Sequence, residues 1–283
     1  MIVITGATGN VGTPLVRALA AAGERLTAVS RGVSRVPELP AGARHTTADL
    51  TRPESLRPAC EGAEALFLHD TGAGARQVDP AAVLDVAKAG GVRRVVLLSS
   101  QGVVTRPHSA SHGGTGRTME ETVRDSGMEW TILRPGGFAS NAYAWADSVR
   151  ADRVVAAPFA DVGLPVVDPL DIAEVAAAAL RGDDGHDGVI HELTGPALTT
   201  PRERAAAIAE ALGEPVRFVE QTPEEAGAQM RAFMPEDVVE TTLAILGRPT
   251  PAELRVSPDV ARVLGRPPHP FSAWAARSVE AFR

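Results

Sequence analysis

Three glycines near the N-terminus of this 283-residue chain follow the spacing Gly6-x-x-Gly9-x-x-Gly12. They lie between a β-branched run that ends at Thr5 and an amphipathic stretch that begins at Thr13. In that setting the first glycine permits a tight turn, the second lets the backbone approach a pyrophosphate, and the third lets the helix pack closely on the strand. The helix N-terminus then offers free N–H groups to the phosphates. An ordinary strand–helix turn seldom needs three glycines, so we expect a dinucleotide to bind at Gly6, Thr8, Gly9, Asn10, Val11 and Gly12.

The residues after the second and third strands bear on which dinucleotide binds. A site specific for NAD usually carries an acidic residue about twenty residues beyond the glycines. Here the second strand ends at Ser30 and is followed by Arg31, which could pair with a 2′-phosphate or be a solvated surface residue. Arg35 is a second candidate contact. The pattern favours NADPH over NADH. Asp49, followed by Leu50, is expected either to accept from the adenine amino group or to cap the next helix.

The elements that position these residues alternate between apolar strands and amphipathic helices, which predicts a Rossmann-type, doubly wound parallel sheet of the α/β class. We expect a dinucleotide-binding core over residues 1–150, to which 164–195 return, and a smaller, mainly helical substrate-binding lobe over 196–283. Two short strands are predicted within 153–167. The other predicted strands are 2–5, 26–30, 44–48, 65–69, 94–99, 130–133 and 189–193, and the predicted helices are 13–22, 53–60, 78–89, 115–126 and 171–180.

Composition and net charge indicate which kinds of binding partner can be excluded. The net charge of −7 and an aromatic content of 4% argue against a nucleic-acid partner. The single cysteine, Cys60, excludes an internal disulfide and suits a reducing compartment. Because the first strand begins at Ile2 and no long apolar run follows, we expect no signal peptide and no membrane span. The chain is therefore expected to be a cytoplasmic monomer or homodimer that acts on a small molecule.

Six segments of the sequence together point to a known family: Thr5 to Gly12, Ser99 to Gly102, Trp130 to Gly136 with Phe138 and Asn141, Asp171 to Ala176, Leu193 to Pro196 and Val256 to Pro268. These segments resemble the NmrA-like group of atypical short-chain dehydrogenases and reductases, and the likeness covers nearly the whole chain. This group includes NADPH-dependent quinone, dye and ketone reductases and also non-catalytic regulators that sense NADP. The resemblance implies a Rossmann core, a small substrate lobe and a site in the cleft between them.

The same resemblance suggests which residues approach the cofactor and the substrate. Phe138, Asn141, Tyr143 and Trp145 are candidates for the substrate pocket, although Tyr143 and Trp145 could instead pack under the second lobe. Ser100 is a candidate catalytic residue. The residues implied near the cofactor, at the ends of strands four to six, are Leu68, His69, Asp70, Ser99, Pro135 and Gly136.

The chain departs from the family in its proton donor. Short-chain dehydrogenases usually protonate the substrate oxygen with a tyrosine whose pKa is lowered by a lysine four residues later. The chain has one tyrosine, Tyr143, and one lysine, Lys88, so this pair cannot form. His112 stands where the pair would fall, in a loop rich in serine and glycine. Three alternatives follow: His112 donates the proton, the substrate needs no protein acid, or the protein binds NADPH without turnover.

These observations predict an NADPH-dependent reductase that transfers hydride to a small carbonyl, a quinone or a polycyclic aromatic ketone. The alternative is a non-catalytic, NADP-sensing regulatory protein, and a sugar epimerase ranks below both because it also relies on the missing tyrosine. His108 and His112 have the spacing of a metal-binding pair on a helix, but no third ligand is evident. We therefore expect no metal.

Overall fold

The computed structural model describes residues 1–32, 39–69, 78–109 and 114–283. The strands of its main sheet are β1 (Ile2–Thr5), β2 (Leu26–Ser30), β3 (Ala43–Thr47), β4 (Ala65–His69), β5 (Arg94–Leu98), β6 (Glu129–Pro135) and β8 (Val189–Leu193). These seven strands run parallel in the order β3-β2-β1-β4-β5-β6-β8. This order confirms the predicted doubly wound Rossmann-type α/β fold.

Helices cover both faces of this sheet, as the nearly continuous apolar strands require. Because side chains alternate across a strand, Ile2 and Ile4 of β1 belong to one apolar cluster and Val3 belongs to the other. The first cluster includes the inner faces of α1 (Gly12–Ala21) and α7 (Pro169–Arg181). The second includes α2 (Arg57–Cys60), α3 (Pro80–Ala89) and α5 (Gly114–Arg124).

The segment after β6 contains one predicted strand and lacks the other. A 3₁₀ helix (Ala139–Trp145), α6 (Ala146–Asp152) and β7 (Val154–Ala157) follow β6. The second short strand predicted within 153–167 is wrong, because Leu164 and Val167 make only isolated bridges. The helix predicted over 171–180 begins at Pro169, and its N-cap is Asp168, whose carboxylate accepts from the N–H of Leu170 at 2.9 Å.

The C-terminal part is helical except for one strand, which the sequence did not predict. This strand, β9 (Arg217–Glu220), pairs in parallel with β7 to form a separate two-stranded sheet. The helices of this part are α8 (Pro201–Leu212), α9 (Pro223–Met230), α10 (Glu236–Gly247), α11 (Asp259–Leu264) and α12 (Phe271–Arg277), and a 3₁₀ turn (Val279–Phe282) ends the chain. Between β5 and α5 lies one further short helix, α4 (Gly102–Thr105).

A third apolar cluster lies outside the main sheet and contains residues that precede β8 in the sequence and residues that follow it. It joins Ala139 and Val149 to Ile208 and Phe282, whereas Val260 of α11 belongs to the first cluster, beside α7. The division at residues 150 and 196 stays a prediction. Within the described ranges, no helix is both long enough and apolar enough to cross a membrane.

Candidate functional site

The glycine turn connects the carboxyl end of β1 to α1. The N–H of Ala7 donates to the carbonyl of Val29 at 3.1 Å, which holds the turn against β2. Gly6 has a φ of +62°, a left-handed conformation that favours glycine. A Cβ on Gly12 would lie 2.1 Å from the carbonyl oxygen of Gly6, so the helix packs against the turn only because residue 12 has no side chain.

The N-terminus of α1 has the properties of an anion-binding site. The helix has no side-chain cap at Val11 and no acidic residue in its first turn. Among the described residues, we find no acceptor for the N–H groups of Asn10, Val11 and Gly12. Unpaired N–H groups at a helix N-terminus, next to glycines that admit close approach, suit a pyrophosphate. The turn therefore fits the dinucleotide expected from the sequence.

The residues after β2 and β3 take different positions. Arg31 is exposed, and its charge acts on the carboxylate of Asp49. Asp49 Oδ1 accepts from the N–H of Thr51 at 3.0 Å and from its hydroxyl at 2.9 Å. These two bonds, followed by the charges of Arg52 and Arg31, lower the pKa of Asp49. Asp49 thus closes a local turn, and Leu50 is buried in the second apolar cluster, whereas a contact of either with adenine stays a prediction.

The end of β4 reaches the glycine turn, whereas the end of β6 contacts β8. The imidazole of His69 lies so close to Gly6 that a Cβ there would be 2.5 Å from His69 Nε2. Leu68 is fully buried in the core, and Asp70 lies outside the described residues. Next to β8, the N–H of Gly136 donates to the carbonyl of Leu193 at 2.9 Å. The structure thus brings His69 to the glycine turn, and its contact with the cofactor stays a prediction.

The side chain of Ser99 points toward a buried carboxylate that sequence reasoning missed. Its hydroxyl donates to Glu120 Oε1 at 2.7 Å, and Glu120 on α5 is 2% exposed. Arg134 Nε donates to the same carboxylate at 2.9 Å, and Arg124 Nη2 donates at 3.1 Å. Two arginines and a hydroxyl offset the cost of burying this charge. The one signal in the sequence was the i,i+4 pair of Glu120 and Arg124.

The structure describes Ser100 but not His112, the two candidate catalytic residues. The hydroxyl of Ser100 accepts from the N–H of Gly102 at 3.1 Å, at the start of α4. His112 lies outside the described residues. The carbonyl of Pro135 accepts from the N–H of Gln101 at 2.9 Å, and this bond ties the segment after β5 to the end of β6. Catalytic roles for Ser100 and His112 stay predictions.

The segment after Gly136 links the glycine turn to the second lobe. Asn10 Nδ2 donates to the hydroxyl of Ser140, a buried residue, at 3.1 Å. Phe138 is half-buried against the first apolar cluster, and Asn141 is exposed. Tyr143 is also exposed in part, but the structure gives its side chain several partners within the second lobe.

The only tyrosine and the only lysine are far from the arrangement that short-chain dehydrogenases use. The Tyr143 hydroxyl donates to Ser278 at 3.0 Å, and its ring lies against Trp274, with 5.0 Å between the centroids. Lys88 on α3 donates to the carbonyl of Ser126 at 3.0 Å. The contacts of Tyr143 are those of the packing alternative, and its role in a substrate pocket stays a prediction.

A buried ion pair joins the segment after β5 to the second lobe. Both Arg106 Nε and Nη2 donate to the carboxylate of Glu253, each at 2.8 Å, and Glu253 is 4% exposed. Gln101 Nε2 donates to the carbonyl of Ala252 at 3.1 Å. Burial opposes ionisation of Glu253, but bonds from Arg106 and from the N–H of Thr250 outweigh it and lower its pKa. We refer to Arg106 and Glu253 as the clamp.

Among the described residues, no group of three or more histidine, cysteine, aspartate or glutamate side chains could hold a metal ion. Buried acidic residues serve structural contacts instead. Asp171 on α7 accepts from the N–H of His269 at 2.7 Å and pairs with Arg266 at 2.8 Å.

Comparison with known proteins agrees with this geometry. Residues 6–183 match the model of a family described as NAD(P)H-binding. The chain is 38% identical over 292 residues to a (4-alkanoyl-5-oxo-2,5-dihydrofuran-3-yl)methyl phosphate reductase of Streptomyces griseus, and the match covers 100% of this chain and 99% of that protein. It is 32% identical over 287 residues to an NAD(P)H azoreductase of Xenophilus azovorans, again with 100% and 99% covered.

Solved structures show the same fold. An NADPH-dependent quinone oxidoreductase of Escherichia coli, complexed with NADPH, superposes with a TM-score of 0.78 at 24% identity, covering 98% of this chain and 99% of that one. The negative transcriptional regulator NmrA superposes with a TM-score of 0.75 at 18% identity, covering 99% of this chain and 95% of that one. Enzymes and a regulator therefore share this architecture.

Proposed function

The chain belongs to the NAD(P)H-binding, NmrA-like family of atypical short-chain dehydrogenases and reductases, and from this premise we propose which reaction it catalyses. It is an NAD(P)H-dependent oxidoreductase whose relatives are reductases of small molecules. The proposed reaction is hydride transfer from NADPH to a small carbonyl or quinone acceptor in which the reducible bond is conjugated to further electron-withdrawing groups.

One observation carries this proposal. The two residues that could form an acid pair, Tyr143 and Lys88, both make other contacts. Tyr143 donates its hydroxyl to Ser278, and Lys88 bonds a backbone carbonyl between α5 and β6. A simple ketone that accepts hydride develops charge on one oxygen and gains from a protein acid at that atom. A conjugated acceptor spreads the charge over several atoms, so water can supply the proton afterwards. An acceptor of this kind fits a chain without the tyrosine–lysine pair.

The named substrates of the relatives point in the same direction. The Streptomyces protein is named for an alkanoyl-oxo-dihydrofuran, the Xenophilus protein for azo compounds and the Escherichia protein for quinones. Each of these compounds delocalises the electron pair that a hydride delivers. The common requirement is an electron-poor conjugated acceptor, and this supports the same class for the present chain.

The residues of this chain bind and orient the reactants in the proposed reaction. When bound, NADPH supplies the hydride. The N–H groups at Asn10 to Gly12 hold the pyrophosphate, and Arg31 pairs with the 2′-phosphate, which supports NADPH over NADH. Asn10 connects the turn to Ser140, so the cofactor turn and the segment after Phe138 keep a fixed relation. The clamp ties the segment after β5 to the second lobe.

The test measures NADPH oxidation by the purified protein with menadione, an azo dye and an alkanoyl-dihydrofuranone, with cyclohexanone as the matched unconjugated ketone. We expect turnover with at least one conjugated acceptor and none with cyclohexanone. Preference for cyclohexanone would contradict the reasoning about charge delocalisation. Tight NADPH binding without oxidation by any acceptor would favour the regulatory alternative, which the fold shared with NmrA does not by itself support.

A further inference from the structure

Arg204 on α8 occupies a position on the helix face that packs inward. The buried residues of this helix are Pro201, Arg204, Ala205 and Ile208, so the arginine interrupts an otherwise apolar stripe. Its exposed fraction is 7%. Arginine is seldom buried to this extent unless a carboxylate or another anion pairs with it. The surroundings of its guanidinium therefore show what the side chain could bind.

Among the described residues, no carboxylate pairs with Arg204. Its Nε donates to the carbonyl of Thr200 at 3.3 Å, and its guanidinium carbon lies 5.8 Å from the ring centroid of Trp145. The neighbouring Glu203 is exposed and accepts from the N–H of Thr200 at 2.8 Å in a capping box. Burial lowers the pKa of Arg204 to about 10, so the group remains charged at neutral pH.

The two Nη groups of Arg204 remain accessible. In the described ranges, His191 Nδ1 is the only fully buried polar side-chain atom that has no hydrogen-bond partner. The Nη groups of Arg204 also lack a partner within these ranges and are not among the fully buried atoms, so each retains some exposed surface. Two parallel N–H groups on a planar fork match the geometry of a carboxylate or phosphate.

Trp145 connects this guanidinium to the 3₁₀ helix that contacts the glycine turn. Trp145 ends the 3₁₀ helix that begins at Ala139, and Ser140 in the same helix bonds Asn10 of the glycine turn. A 3₁₀ helix rises about 2 Å per residue, so Trp145 lies roughly 10 Å along the helix from Ser140. A substrate of moderate size can span that distance.

We propose that Arg204 binds an oxyanion, either phosphate or carboxylate, carried by the reducible substrate, with Trp145 as one wall of the anion pocket. This inference rests on the proposed function, because it assigns the oxyanion to the substrate of the same cleft. Binding of the anion would supply the missing countercharge to a cation that the protein already holds in a fixed, partly desolvated position. The specificity for anionic acceptors follows from that electrostatic gain.

Three variants test the proposal. Arg204→Met removes the charge and keeps the unbranched stem, and Arg204→Lys keeps a charge and loses the fork. Arg202→Met is the matched control, because Arg202 lies on the exposed side of the same helix and pairs with Asp161 at 3.0 Å. It removes the same charge from the same helix without touching the buried face.

Two independent readouts apply to the NADPH-loaded protein. Calorimetric titration with phenyl phosphate, benzoate and neutral benzamide measures anion binding directly. Steady-state kinetics give the ratio of kcat/KM for menadione carrying a phosphomethyl or carboxymethyl group to kcat/KM for menadione itself. For Arg204→Met we expect this ratio to fall about tenfold or more, since a charge-assisted hydrogen bond has roughly that effect. We expect a smaller fall for Arg204→Lys and no change for Arg202→Met.

The outcomes separate this proposal from the proposed function. Whichever of phenyl phosphate and benzoate binds identifies the oxyanion. Binding of neither to the wild-type protein, or equal binding to Arg204→Met, overturns the proposal. A lower melting temperature for Arg204→Met without loss of anion binding would assign Arg204 to stacking on Trp145 alone. If the wild-type protein reduces no acceptor, the proposed function fails, while the titration still decides whether the oxyanion site exists.

Discussion

The substitution Gly12→Ala should weaken NADPH binding more than it weakens the fold. The new Cβ would lie 2.1 Å from the carbonyl oxygen of Gly6 and 2.8 Å from the Cα of Ala7. Ordinary contact begins at 3.4 Å, so the N-terminus of α1 must move by about 1.3 Å. Both obstacles are backbone atoms, and no rotamer change can relieve the overlap. The movement displaces the N–H groups that face the pyrophosphate.

The size of the effect follows from the usual cost of overpacking. A misfit of this kind costs about 1–3 kcal/mol, which corresponds to a roughly 5- to 150-fold rise in Kd if the turn takes up the whole displacement. Fluorescence titration with NADPH measures Kd, and urea unfolding measures the free energy of the fold. Gly114→Ala is the control, because a Cβ there meets nothing within 4 Å. If Gly12→Ala binds NADPH within about twofold of the wild type, the assignment of this turn to the pyrophosphate is refuted.

Three further predictions concern other parts of the molecule. Arg31→Ala should raise the Kd for NADPH about tenfold while changing the Kd for NADH little, because only NADPH carries the 2′-phosphate, and equal effects on both would contradict the assignment. Glu253→Gln should cost about 2 kcal/mol or more in urea unfolding, because Arg106 loses its buried partner, whereas Glu236→Gln at an exposed ion pair should leave stability unchanged. Burial lowers the pKa of His191 below 6.5, so the unfolded chain binds the proton more readily and the unfolding free energy should fall as the pH drops below that value. In the His191→Leu variant, the loss of unfolding free energy between pH 7.5 and pH 5.5 should be smaller than in the wild type. An unchanged pH dependence in this variant would contradict the prediction.

Local patterns predicted the main sheet well because most of its strands are apolar on both faces. The strand expected over 44–48 is Ala43–Thr47, and the strand expected over 130–133 extends from Glu129 to Pro135. The extension depends on bonds that a sequence pattern does not show, such as the one from the N–H of Gln101 to the carbonyl of Pro135. The periodicity of apolar residues therefore predicts where the core strands lie, whereas contacts with neighbouring segments determine where each strand ends.

The second lobe was harder to predict because its contacts join distant parts of the chain. β9 has two charged ends, Arg217 and Glu220, and its two inner residues are only half-buried. Among the described strands it pairs only with β7, about sixty residues earlier. Nothing in its own four residues separates it from a loop.

In the candidate site, too, features determined by neighbouring residues were predictable, and features determined by distant residues were not. The glycine turn was predictable because backbone geometry and spacing determine it within eight residues. The partner of Tyr143 is Ser278, 135 positions later, and the partner of Arg106 is Glu253, 147 positions later. How the lobe packs on the core determines such pairs. The sequence alone therefore could not distinguish a substrate-pocket role for Tyr143 from a packing role.

The third apolar cluster has a consequence for how the chain can be divided. Its members before β8, such as Val149, pack with members after β8, such as Ile208 and Phe282, while β8 itself belongs to the main sheet. No single cut therefore separates a self-sufficient lobe from a self-sufficient core. During synthesis, the apolar surface of the cluster members that precede β8 stays uncovered until the last helices have been made. Fragments that end near residue 195 should expose that surface and aggregate, even though every strand of the main sheet is present.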